Sequence, residues 1–144
     1  MENTIPKRFE DEKIADHWQV TEHQNTFDKL MQHLQVKTHF YYGFMQSLEK
    51  FFELTTETNL VIADIGGGVG WSTAILAKNA RVKKVYLVEP SLNRVKSFKN
   101  ICNHLNVPQK KVEFINGSFQ DFKLPEKVDI ILMCAAIHHC HVDY

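Results

Sequence analysis

Val61-Ile-Ala-Asp64-Ile-Gly66-Gly-Gly68-Val-Gly70-Trp-Ser-Thr73 runs from branched apolar residues, through a glycine cluster, into a stretch with helical spacing. The branched apolar run predicts a strand, and the residues from Trp71 onward predict a helix. Between them the spacing is Asp64-x-Gly66-x-Gly68-x-Gly70, with Gly67 as a further glycine inside the loop. Glycines here permit positive φ and remove the β-carbon, so a ligand can lie against the backbone while the amides that open the next helix face a polar or anionic group. A bare turn needs only one such residue. The loop is therefore read as a nucleotide-type binding site. The dinucleotide spacing Gly-x-Gly-x-x-Gly fails, because counting from Gly66 the last position falls on Trp71 and from Gly68 it falls on Thr73. A Walker loop fails too, since no lysine follows until Lys78.

Outward from this loop, short branched runs at 60–63, 85–88, 112–115 and 130–133 predict strands, and 71–80 and 92–105 predict helices between them. Alternation of this kind implies right-handed crossovers and an α/β, doubly wound, mainly parallel sheet with helices on both faces. Ligands in such sheets bind beyond the carboxyl ends of the strands, where the winding reverses. Glu89 closes the second strand, at the place where a carboxylate can accept both hydroxyls of a ribose. Upstream, Phe27, Leu30, Met31 and Leu34, then Phe44, Leu48, Phe51 and Phe52, recur at helical spacing. The polar run Thr-Thr-Glu-Thr-Asn at 55–59 separates an N-terminal helical segment, 1–58, from the strand-bearing part, 59–144.

Composition narrows the class. The chain of 144 residues has the length of one domain, and its 44% hydrophobic and 24% charged residues are ordinary for a globular fold. Lys plus Arg and Asp plus Glu are 17 each, so no basic excess favours nucleic acid as a partner. No apolar run has the length of a bilayer span and no signal-peptide pattern opens the chain, so a soluble, cytoplasmic protein without membrane attachment is expected. Cys102, Cys134 and Cys140 are odd in number and lack Cys-x-x-Cys spacing, the pattern of reduced thiols. His138, His139, Cys140 and His141 are consecutive and project in different directions, so no metal is expected on them.

From Leu60 to His139 the chain resembles the class I (Rossmann-like) S-adenosylmethionine-dependent methyltransferases, nearest to their small-molecule branch. The resemblance implies S-adenosylmethionine as cofactor, with Asp64, Gly66, Gly67, Gly68 and Gly70 beneath its amino-acid part, Glu89 on the ribose and Pro90 near the adenine. After Asn116-Gly117, where the family often has an acid for the adenine amino group, this chain has Ser118, which implies a contact supplied there or by the amide of Phe119. The fourth-strand segment, with Cys134, resembles the motif beside the sulfonium. His138 and His139 follow it as weak catalytic candidates, because imidazole takes a proton near neutral pH while transfer from a sulfonium relies mostly on alignment. The family's full sheet has seven strands, so this chain is expected to be the donor-binding half of a truncated or partly observed enzyme acting on a small molecule. The alternative is a non-catalytic module that serves assembly or regulation. The fourth strand, apolar at odd and even positions, would then be an open edge offered to a second copy, a route to a homo-oligomer.

Overall fold

A computed structural model describes residues 26–118, 121–134 and 136. Helix α1 (Phe27–Gln32) is capped by Thr26, whose hydroxyl accepts from the Lys29 amide, and runs into a π-helical turn, His33–Lys37. Helix α2 (Phe40–Leu54) follows a left-handed His39. Then come β1 (Leu60–Ile65), α3 (Trp71–Lys78), β2 (Val82–Val88), α4 (Leu92–Lys96), α5 (Phe98–Leu105), β3 (Val112–Ile115) and β4 (Ile130–Leu132). The strands form one parallel sheet in the order β3-β2-β1-β4, so the winding reverses beside β1 as the alternation predicts.

Register is set by burial. Ile62 pairs with Val85 and Ile130, and Asp64 with Leu87 and Leu132, so one set of side chains joins Leu30, Leu34, Phe44, Leu76 and Ile101 in the larger core. Val61, Ala63, Ile65, Tyr86 and Val88 face the other way. Each fully buried branched side chain stabilises the fold by about 1.5–3 kcal/mol.

Three expectations change. Among the described residues the helices gather on one face, while Phe122, Leu124 and Val128 of the β3–β4 connection cover the other. Pro125 explains the missing helix there, since it biases Leu124 toward extended backbone. The helix expected over 92–105 divides at Ser97, after the short α4 capped by Ser91. Strand β2 begins at Val82, three residues early, because Val82 and Lys84 pair with Leu60 and Val61 of β1.

Arg81 fastens the N-terminal helices to this frame. Its guanidinium donates to the carbonyls of Glu57 and Phe52, each at 2.8 Å, and of Thr55, and it lies 4.9 Å from the centroid of the Phe52 ring. No described helix is long and apolar enough to cross a membrane.

Candidate functional site at the strand ends

Beyond β1 the chain makes a tight loop held from below. The amides of Gly66 and Gly67 both donate to the Val88 carbonyl, at 2.8 and 3.3 Å, and Gly70 donates to Gly67 at 2.9 Å. Gly68 and Gly70 carry φ of +60° and +82°, the region an L side chain avoids. At Gly70 a β-carbon would also collide with the Phe98 ring.

Asp64 is 0% exposed. Its Oδ2 accepts from the hydroxyls of Ser72 at 2.7 Å and Thr73 at 2.6 Å, so the carboxylate anchors the first turn of α3. The amides of Gly66 and Gly67 are held by the Val88 carbonyl and not by Asp64. Oδ1 has no hydrogen-bond partner among the described residues. Burial raises the proton affinity of this carboxyl, and its hydrogen bonds to Thr73 and Ser72 act against that.

Glu89, 1% exposed, closes β2. One oxygen accepts the Gly68 amide at 2.9 Å and the other the Ser91 amide at 3.0 Å. The sequence places these groups far apart; the sheet brings the ends of β1 and β2 side by side. Asn116, at the end of β3, donates to the carbonyls of Glu89 and Pro90, at 3.3 and 2.9 Å, which fixes the turn after Glu89. Ser118 is buried, and both its amide and its hydroxyl donate to Asp121, at 2.6 and 2.7 Å. Ser118 is thus tied to an acid three residues downstream.

A cavity of about 140 Å³ lies over the loop, bordered by Gly66, Gly67, Gly68, Ser72 and Cys134 and roofed by Leu30, His33 and Phe40. Burial and the Asp64 charge push the Cys134 thiol up to about 11, so it stays protonated at neutral pH. Arg94, which borders the same cavity, is the residue sequence reasoning missed; a cation within a helical stretch reads as solvated. The structure therefore brings together Gly66, Gly67, Gly68 and Cys134 at one cavity, with Asp64 hydrogen-bonded to its lining residue Ser72 and Glu89 to Gly68. Phe119, His138 and His139 lie outside the described residues, as do Cys140 and His141. Among the described residues no group of three or more His, Cys, Asp or Glu could hold a metal ion.

Residues 62–144 match the model of a family described as a methyltransferase domain. Over 141 residues the chain is 28% identical to protein arginine N-methyltransferase 2 of Mus musculus, an alignment that covers 90% of this chain and 29% of the mouse protein. The chain thus spans less than a third of that relative's length. Among solved structures it resembles the YcgJ protein of Bacillus subtilis, with a TM-score of 0.56 and 21% identity over 68% of this chain and 41% of that one. It also resembles an Anabaena variabilis protein described as a methyltransferase from an antibiotic biosynthesis pathway, with a TM-score of 0.50 and 31% identity over 66% of this chain and 35% of the other. The parallel sheet, the glycine loop and the matched residues agree: the chain belongs to the methyltransferase-domain family, the class I enzymes whose methyl donor is S-adenosylmethionine.

Proposed function

We propose that residues 59–144 hold S-adenosylmethionine across the ends of β1 and β2, that residues 1–58 form a helical cap over it, and that the protein methylates a small-molecule acceptor. Glu89 carries the reading. Each of its oxygens is already fixed by one backbone amide and keeps another lone pair, an arrangement that suits the two neighbouring hydroxyls of a ribose. The orphaned Oδ1 of Asp64 suits the donor's ammonium, directly or through a water. Gly66, Gly67, Gly68 and Gly70 leave room for the amino-acid part, Pro90, Ser118 and Phe119 border the adenine, and Cys134 stands beside the sulfonium. Bound there, the donor supplies a methyl group on positively charged sulfur, so the chain's main task is to hold donor and acceptor in line. His138 and His139 belong on the acceptor side and are dispensable for donor binding. Copies of the chain meet along the edge of β4.

The 28% identity to a protein arginine methyltransferase favours a second reading, in which the acceptor is an arginine side chain of a protein. Calorimetric titration tests the donor site: S-adenosylhomocysteine binds and NAD does not. Glu89→Ala weakens that binding by about 1.5–3 kcal/mol, the range for hydrogen bonds to a charged group. Unchanged affinity removes Glu89 from the site. Transfer of labelled methyl to small amines, thiols and phenols, set against arginine peptides, separates the two acceptors.

A further inference from the structure

We infer that Arg94 is a positioning residue for Glu89: its guanidinium, set beside the glycine whose amide binds the carboxylate, supports the grip of Glu89 on the donor's ribose. The inference rests on the ribose reading of Glu89 and adds the group on which that reading depends.

Glu89 is buried, and burial is the largest influence on its carboxyl, favouring the neutral acid. Against this stand the Ser91 amide, the Arg94 charge and the Gly68 amide, while the charge of Asp64, on the neighbouring strand, adds to the pressure toward protonation. Asn116, from the end of β3, is neutral and engages the Glu89 carbonyl. Arg94 is thus the cation set against both burial and Asp64. The local fold holds it there: Ser91, whose amide binds one Glu89 oxygen, also caps α4 by accepting the Arg94 amide at 3.4 Å. On the other side, a β-carbon at Gly68 would lie 3.7 Å from Nη1 of Arg94, and the Gly68 amide binds the second Glu89 oxygen. Carboxylate and guanidinium therefore flank the same glycine, beside the cavity. Burial also works against the Arg94 charge, and Glu89 offsets it, so each ion supports the other.

Without Arg94, burial and Asp64 are opposed by the two amides, and the proton affinity of Glu89 rises further. A protonated carboxyl has turned one acceptor into a donor, so it no longer receives both ribose hydroxyls. The sign follows: affinity for the donor is intact at high pH and falls as pH falls.

The test is calorimetric titration of S-adenosylhomocysteine from pH 6.0 to 8.5 with wild type, Arg94→Met, Arg94→Lys, Glu89→Gln and the Glu89→Gln/Arg94→Met pair. The readout is the ratio to wild type at each pH, which removes every pH effect that the variants share. Arg94→Met approaches wild type at pH 8.5 and loses affinity by up to about tenfold per pH unit below the new protonation point. Arg94→Lys keeps the ratio flat, and with Glu89→Gln present the Arg94→Met change no longer adds a pH dependence. An Arg94→Met ratio that is flat, whether at unity or uniformly depressed, overturns the inference. If Glu89→Gln binds as well as wild type, it is the ribose reading that falls.

Discussion

Strands β1 and β4 lie side by side and are both built from apolar residues, yet all six positions of β1 are buried whereas Ile131 of β4 is 61% exposed. The difference is positional. β1 has a strand on each side, helices on one face and the β3–β4 connection on the other; β4 has only β1 beside it among the described residues. The two ends of the site inherit that contrast. On the donor side, the loop, Asp64 and Glu89 are locked by hydrogen bonds from several elements. On the β4 side, Phe51, Ile130 and Leu132 border an apolar crevice of about 180 Å³ between α2 and the sheet. Hydrogen-bonded geometry is concentrated at the ends of β1 and β2, and apolar surface is left exposed beside β4.

The largest way to break the contrast is Gly70→Ala. The residue takes φ +82°, and its new β-carbon collides with Phe98, so α3 and α5 must separate. Overpacking of about 1–3 kcal/mol adds to roughly 1–2 kcal/mol for a left-handed L residue. Denaturant unfolding is expected to show a loss of about 2–4 kcal/mol with little measurable donor binding. A loss below about 1 kcal/mol would show the loop to be adaptable.

Arg81→Met comes next. It removes three hydrogen bonds from a charged donor to the carbonyls of Phe52, Thr55 and Glu57, at the joint between α2 and the sheet. The expected cost is about 2 kcal/mol by chemical denaturation. Because Arg81 does not border the donor cavity, affinity for S-adenosylhomocysteine at 25 °C stays within about twofold of wild type, as far as distant sites behave independently. Loss of binding in a folded Arg81→Met protein would place the α1–α2 cap among the parts that hold the donor.

Legibility in the sequence follows the same contrast. The Asp64 to Gly70 loop could be read because close approach of a ligand leaves glycine as the workable residue type, and β1 because branched apolar residues dominate it. Glu89 was readable from its place at a strand end. Asn116 and Arg94 were not, since each acts on a group fixed only when strand ends converge; Asp121 was not, because its bond to Ser118 depends on the turn of the loop between them, and in sequence each resembles a solvated polar residue. Arg81 escaped for the same reason, with its carbonyl partners 24 to 29 positions upstream. The break at Ser97 was hidden because its two flanking segments share helical periodicity; in the fold, the second helix starts at Phe98, which packs over Gly70.

The smallest perturbation addresses the open side. Ile131→Lys puts a charge on an exposed position of an edge strand, the device by which natural sheets discourage pairing with another chain. The side chain already meets water, so unfolding free energy should change by no more than about 0.5 kcal/mol. Donor affinity should be unchanged, because Ile131 pairs with Ala63 and does not border the donor cavity. What should change is assembly. If copies meet along β4, light scattering over a concentration series shows the wild-type chain associating and the Ile131→Lys chain remaining monomeric. Equal association in both would move the contact away from β4, while a wild-type chain that is monomeric at every concentration would mean that its exposed isoleucine is no invitation to a second copy. Either result would leave the buried donor side untouched, since its contacts arise within the single chain.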